Sequence, residues 1–222
     1  MKHHLSNLDG KMFHVKQDSF TSVEFRRIFS TSEEVISNLK EFEKILLTWN
    51  ENMNLISKST LSNIWWRHIA DSAQICKFFS NKSKVLIDLG AGAGFPGLVL
   101  SIMGFPEVHL VESVGKKANF LKHVIDKLNL NADVHHSRIE ELKPLKVDIV
   151  TARALASLNK LLHLSGKFVG DKTLQFYFKG DKYNIELEEA KKKWAIDFKS
   201  YKSFTNTTSR IIEIKKAKRI GN

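Results

Sequence analysis

The stretch from Lys84 to Gly97, Lys-Val-Leu-Ile-Asp-Leu-Gly-Ala-Gly-Ala-Gly-Phe-Pro-Gly, constrains this chain more than any other. It opens with an apolar run, Val85 to Leu89, of the length and kind expected of a strand buried on both faces. Gly90, Gly92, Gly94 and Gly97 then break the run, and Pro96 stands at the start of the next helix. Glycine lets a backbone turn tightly and approach a ligand closely. Proline suits the first helical turn, where its missing N–H is not needed. Strand, glycine turn and helix in that order form the nucleotide-cofactor end of a doubly wound α/β sheet. The plain alternative is a tight turn that binds nothing. Four glycines within eight positions, with an acid downstream, argue against it.

The same stretch narrows the cofactor. A dinucleotide fingerprint, G-x-G-x-x-G, counted from Gly90 asks for glycine where the chain has Phe95. Glu112 closes the next apolar run, at about the 20-residue distance at which an acid holds ribose hydroxyls. An adenosine-type cofactor fits these features, and NAD fits them imperfectly.

With 222 residues, the chain suits one large domain, or one domain with a smaller helical addition. No apolar run reaches the ~20 residues of a membrane span. The first residues lack the apolar core of a secretion signal. Cys76, the single cysteine, excludes an internal disulfide framework and suits a reducing cytoplasm. The net charge is +11, and from Lys167 onward 14 Lys or Arg face 7 Asp or Glu. Such a surplus suits a polyanionic partner, most simply nucleic acid, although a plain basic surface would show the same composition.

Three segments are expected: a mobile leader over 1–31, an N-terminal helical addition over 32–80, and a cofactor-binding domain over 81–222. His3, His4 and His14 have no Cys or carboxylate cluster beside them, so no metal site is expected. Ser32-Glu33-Glu34 starts a helix with a capping serine and acids in its first turn. Val35, Leu39, Phe42, Leu46 and Trp49 share one face of it. Residues 50–59 form a polar connection, and a second helix runs from Leu61 to Phe79. On that helix Arg67, His68 and Asp71 read as a surface charge cluster; their place just before the cofactor strand makes a site role the alternative. Strands follow at Val85–Leu89, Val108–Val111, Ala132–His136, Val147–Thr151 and Thr173–Phe178. Helices lie between them, and 138–142 makes one helical turn. A charged helix over 184–194 and a closing hairpin at 197–204 and 210–216 complete the pattern. The result is an α/β fold, a seven-stranded, mostly parallel, doubly wound sheet with a C-terminal hairpin. Its ligand edge carries Gly90–Phe95, Glu112, Ser137–Glu140, Arg153 and Lys179-Gly180.

At these residues the sequence resembles the class I S-adenosylmethionine-dependent methyltransferases, with their Rossmann-like fold. It resembles most closely the bacterial ribosomal RNA small-subunit methyltransferase G family, also called glucose-inhibited division protein B. The resemblance covers about residues 40–180. It rests on Trp49-Asn50 with Asn54-Leu55, on 67–72 (Arg-His-Ile-Ala-Asp-Ser), on 88–97, on Glu112-Ser113 with Lys116-Lys117, on 137–141, on 153–158 (Arg-Ala-Leu-Ala-Ser-Leu) and on Lys179-Gly180. The glycine stretch alone says only methyltransferase; the 67–72 and 153–158 blocks are specific to the family. The resemblance implies methyl transfer from S-adenosyl-L-methionine to N7 of a guanine in the 530 loop of 16S rRNA. The substrate would sit within the 30S subunit or an assembly intermediate, in the cytoplasm, with no membrane and no obligate protein partner. It implies cofactor contacts at Gly90, Gly92, Phe95, Ile139, Glu140 and Arg153, with Glu112 as the ribose acid. Arg67, His68, Lys116, Lys117 and Lys179 become candidate RNA contacts, and Lys122, Lys191–Lys193, Lys215, Lys216, Lys218 and Arg219 candidate phosphate contacts. The chain departs from the family in two places. Val169-Gly170-Asp171-Lys172 stands where a Pro-Gly-Gly turn is frequent, and Glu112 where Asp is frequent. Two alternatives remain: methylation of another acceptor, or a non-catalytic RNA-binding protein with a relic pocket.

The residues suit that chemistry. Guanine N7 has a lone pair and no proton, so its methylation needs alignment rather than a general base. Exocyclic-amine methylation in this superfamily uses an Asp/Asn-Pro-Pro-aromatic block after the fourth strand, where this chain has 151–154, Thr-Ala-Arg-Ala. Carbon-5 methylation needs a nucleophilic cysteine, and Cys76 lies on an upstream helix. Arg153 is the expected positioning residue.

Overall fold

The structure, a computed structural model, describes residues 20–79 and 84–221. Seven strands form one sheet: β1 (Val85–Leu89), β2 (Glu107–Glu112), β3 (Ala132–His136), β4 (Ile149–Arg153), β5 (Leu174–Lys179), β6 (Trp194–Lys202) and β7 (Arg210–Arg219). Their order across the sheet is β3-β2-β1-β4-β5-β7-β6. The first five run parallel, and β7 is antiparallel to β5 and to β6. This is the expected doubly wound sheet with a closing hairpin.

Alternation along the central strands divides the core into two layers. Leu86, Ile149, Phe176, Phe178 and Ile211 face one side. Ile87, Leu89, Val150, Ala152 and Tyr177 face the other. The first side is covered by α1 (Ser22–Phe29), α2 (Glu33–Asn50), α3 (Asp71–Ala73), α4 (Gly97–Ile102) and α5 (Gly115–Leu128). The second is covered by α6 (Leu158–Ser165) and α7 (Tyr183–Lys191). Crossovers from β1 toward β3 thus lie on one face and those from β4 onward on the other. The chain reverses between β1 and β4, and a crevice opens beyond the carboxyl ends of these strands.

The described part of the expected leader is not a loose segment. Thr21 and Glu24 form a capping box, and α1 buries Phe25, Ile28 and Phe29. Its Phe25 ring meets Trp65 edge-on at 5.5 Å. The signal was in the sequence as Thr-x-x-Glu before an apolar triad. Residues 1–19, with the three histidines of the leader, lie outside the described residues. Helix α2 begins where expected, with Ser32 as its cap. Its Phe42 packs beside Phe95 and Phe120, so the helical addition shares its core with the sheet.

The expected helix over 61–79 is instead broken. A 3-10 turn (Lys58–Asn63) precedes a π-helical turn (Trp65–Ala70), then α3 and a second 3-10 turn (Gln74–Phe78). Two adjacent indoles have partners on different elements: Trp65 Nε1 donates to Glu43 Oε2 at 2.8 Å, and Trp66 Nε1 to the Thr205 carbonyl at 2.9 Å. A π turn adds the residue that this geometry needs. Strand β4 also ends two residues later than expected. The Val147 carbonyl accepts from the Thr173 hydroxyl at 2.8 Å rather than joining the ladder. Arg153 consequently takes the last ladder position, opposite Phe178.

Candidate active site

A cleft of about 510 Å³ opens at the carboxyl ends of β1, β2 and β4. All seven residues expected to hold the cofactor line it: Gly90, Gly92, Phe95, Glu112, Ile139, Glu140 and Arg153. The loop after β1 builds its floor from backbone. Amides of Gly90 and Ala91 both reach the Val111 carbonyl at 2.9 Å, tying the loop to β2. Gly92 has φ +57°, and a Cβ there would meet only the Gly90 carbonyl oxygen, at 3.8 Å. Its backbone therefore faces open cleft, in a conformation that side-chain-bearing residues rarely adopt. Gly97 serves a different need. A Cβ there would lie 2.2 Å from Leu110 and 2.9 Å from Asp88, so its absence allows α4 to seat against the sheet.

Two acids hold this floor. Glu112 accepts from the Gly92 amide at 2.9 Å and from the Val114 amide at 2.7 Å. A carboxylate offers about four acceptor positions, so capacity remains for a ligand's hydroxyls. Asp88, fully buried, accepts from the Gly97 amide at 2.9 Å and the Thr151 hydroxyl at 2.8 Å. Burial pushes its pKa up to about 7, against the opposing effect of those two hydrogen bonds.

The far wall is made of side chains from distant segments. Arg153 Nη1 donates to Asp71 Oδ2 at 3.1 Å and to the Arg67 carbonyl at 3.3 Å. Its Nη2 donates to His68 Nδ1 at 3.0 Å, and its guanidinium lies 5.0 Å from the Phe95 ring centroid. His68 stacks on the same ring at 4.9 Å. Because Arg can only donate, Nδ1 accepts; the neutral imidazole carries its proton on Nε2, which donates to Thr60 Oγ1 at 2.9 Å. Burial, with Arg153 and Arg67 nearby, drives the His68 pKa down to about 3. Asp71 Oδ1 accepts from Gln74, Ser203 and Thr205 at 2.7, 3.2 and 2.7 Å. The 67–71 cluster, read from spacing as a helix-surface charge group, thus cradles Arg153 in a half-buried setting.

The remaining RNA candidates separate. Lys117 lines the cleft, and His68 lines both it and a second pocket beside it. Arg67 and Lys179 line only that second pocket. Lys116 lines neither and is exposed on α5. Lys179 is not an available phosphate contact: 7 % exposed, it pairs with Glu186 at 2.7 Å and donates to the Ala156 carbonyl. Lys191 and Lys192 pair with Glu188 and Glu189 on their own helix. The sequence reading missed the wall of Leu55, Ile56 and Ser57. Asn50, the last residue of α2, holds the amides of Leu55 and Ile56 on its Oδ1 at 2.9 and 3.0 Å. It also missed the turn over 203–209, whose partners lie more than 120 residues away.

Comparison with known proteins places the chain. The family described as rRNA small subunit methyltransferase G matches residues 35–213. A ribosomal RNA small subunit methyltransferase G from Rhodospirillum centenum is 40% identical over 196 residues, covering 88% of this chain and 91% of that one. The protein of that name from Bartonella quintana is 43% identical over 189 residues, covering 82% and 87%. The chain belongs to the rRNA small subunit methyltransferase G family. Solved structures carry the fold further afield. A SAM-dependent methyltransferase from Aquifex aeolicus has a TM-score of 0.55 at 15% identity, covering 75% of this chain and 97% of that one. TYW2 from M. jannaschii, solved with AdoMet, has 0.53 at 18%, covering 69% and 76%.

In this methyltransferase G chain the cleft fits S-adenosylmethionine. Its volume lies in the range of small-molecule sites. The Ser137 hydroxyl, buried in the cleft lining, has no hydrogen-bond partner in the protein. A buried hydroxyl left so is costly until a ligand or water satisfies it. Open glycine backbone, a carboxylate with spare acceptor capacity and a guanidinium with unused N–H groups surround one volume. Among the described residues no cluster of His, Cys, Asp and Glu could hold a metal ion. Cys76 is buried with its sulfur 3.9 Å from that of Met103, away from the cleft lining.

Proposed function

We propose that this protein methylates N7 of a guanine in the 530 loop of 16S ribosomal RNA. Family membership makes it an S-adenosylmethionine-dependent methyltransferase of small-subunit rRNA. The choice of N7 rests on one observation: the wall between the cleft and the second pocket holds no free base. His68 Nδ1 accepts from Arg153, and its other nitrogen carries the proton. Both oxygens of Asp71 are engaged by donors. An acceptor with a lone pair and no proton suits such a wall, and guanine N7 is one.

When bound, S-adenosylmethionine supplies a methyl on a sulfonium, which leaves as a neutral thioether as the new bond to nitrogen forms. The protein supplies position. Gly90, Gly92 and Ile139 shape the cofactor's space, Glu112 accepts its ribose hydroxyls, and Ser137 offers a hydrogen bond. Arg153, fixed by Asp71 and His68, presents its remaining N–H groups to the cofactor's carboxylate or an RNA phosphate. Such preorganisation can account for many kcal/mol of a barrier. We read 81–222 as the cofactor-binding domain and 32–80 as an addition that contributes His68 and Asp71. No described helix is long and apolar enough to cross a membrane. The proposed substrate places its action in the cytoplasm, on a 30S particle or assembly intermediate.

The test uses 30S subunits from a strain lacking this protein and a methyl-labelled donor. Label should enter 16S rRNA, at a position cleaved by chemistry specific for 7-methylguanosine. Absence of label, or label resistant to that cleavage, overturns the reading.

A further inference from the structure

Arg153, His68 and Ala154 have two sides. They line the cofactor cleft, and they also line the second pocket, of about 330 Å³. We infer that this second pocket receives the acceptor guanine, with the turn between β6 and β7, residues 203–209, as its specificity-determining wall. The inference rests on the rRNA methylation proposed above and adds the place where the base sits.

Position is the first argument. A methyl group crosses between two ligands only where their sites touch, and these pockets touch at residues 68, 153 and 154. Ala154 is in the left-handed region, φ +53°. That conformation is unfavourable for a residue with a Cβ and persists where the surrounding structure imposes it. It occurs here at the boundary between the two volumes.

Surface chemistry is the second. Phe178 and Ile211 are buried apolar residues in the lining, suited to the face of a base. Asn206 and Ser209 add an amide and a hydroxyl able to read its edge. The Ser209 hydroxyl makes no hydrogen bond within the turn, whereas its carbonyl accepts from the Ser203 amide at 3.1 Å.

Charge is the third. Asp71 is the one carboxylate in the lining, and Arg153 pairs with it. Lys179 is likewise neutralised by Glu186. Arg67 and Arg210 have no carboxylate partner among the described residues. Arg210 is held in place by the carbonyls of Thr207 and Ser209, each at 3.0 Å, and lies 5.0 Å from the Tyr183 ring centroid. The pocket is therefore positive at its rim and apolar within, the distribution that a nucleotide in a polyanionic chain requires.

Ser209→Phe narrows this pocket from a residue that does not itself line the cofactor cleft, and leaves the turn's backbone hydrogen bonds possible. Calorimetry should show S-adenosylmethionine affinity unchanged, while single-turnover methyl transfer to unmodified 30S subunits falls about 100-fold, as expected when a reacting group is displaced. Arg210→Gln keeps the pocket open and removes one rim charge. It should raise the KM for 30S subunits, leave cofactor affinity unchanged, and lower the salt slope of RNA binding by about 1. Wild-type transfer with full transfer by both variants overturns the pocket and leaves the proposed activity standing. If Ser209→Phe fails to fold, Arg210→Gln decides alone, and an unchanged KM and salt slope overturn the assignment. Wild-type protein that labels no 16S rRNA instead removes the activity on which the inference rests.

Discussion

The two sides of Arg153 are built by opposite means. On the cofactor side the floor is backbone from one run of chain, 90–95, and the carboxylates of Glu112 and Asp88 hold the amides of Gly92 and Gly97. The other side consists of side chains gathered from residues 60–71, 153 and 203–210. A backbone floor depends on φ angles and on missing Cβ atoms. A side-chain wall depends on hydrogen bonds that each need their partner. Substitutions should therefore act differently on the two: through space and strain on the first, through orphaned polar groups on the second.

The sharpest test of that contrast is Asp71→Ala. It removes the ion pair to Arg153 and leaves Ser203 and Thr205 without their carboxylate acceptor, while Gln74 keeps the Asp71 carbonyl at 2.9 Å. Arg153 and Asp71 keep 17% and 16% side-chain exposure, so the cost should sit near the lower end for a broken buried pair, about 3 kcal/mol in urea unfolding. Loss below about 1 kcal/mol would mean that the wall does not depend on its acid.

Gly97→Ala is the corresponding test of the backbone side. Its Cβ would meet Leu110 and Asp88, and overpacking of this kind costs about 1–3 kcal/mol. Gly92→Asp should separate binding from folding. Space is open at position 92 and Asp tolerates a left-handed backbone better than most residues, so the backbone strain should lower the melting temperature by only a few degrees. Cofactor affinity measured by calorimetry should fall at least about tenfold, because a carboxylate would enter the cleft and face Glu112. Unchanged affinity would remove Gly92 from the site.

His68→Gln supplies the smallest effect, read through pH. The folded pKa of His68 is depressed, so the unfolded chain binds the extra proton between about pH 6.5 and about pH 3. The part of stability due to His68 is complete above pH 6.5 and is lost as pH falls toward 3. Asp88 acts in the opposite sense: its raised pKa makes its own contribution fall as pH rises from about 4 to about 7. The difference between wild type and His68→Gln isolates the histidine, and it should shrink on acidification. A difference independent of pH between about 3 and 6.5 would mean that the imidazole is not held neutral.

Much of the cofactor side was legible because its determinants are consecutive. A short apolar run marked β1, the glycines marked the loop, and Glu112 marked the ribose position. Lys179 was misread for a related reason: a lysine beside a glycine at a strand end looks free until Glu186, on the next helix, packs over it. Charge patterning along one helix made Arg67, His68 and Asp71 look like a surface cluster, because their partner Arg153 lies more than 80 residues away.

From the amino-acid order alone came the doubly wound sheet, the cofactor class and the family, since each depends on local periodicity and on motifs within short spans. The tertiary structure decided which charges are free. Arg153 and Lys179 carry the same sign at neighbouring strand ends, yet Lys179 is closed off by a carboxylate and a carbonyl, while Arg153 is held by its partners with N–H groups to spare. A formal charge is set by the side chain, but its availability depends on what packs within hydrogen-bonding distance, and that distance is a property of the fold.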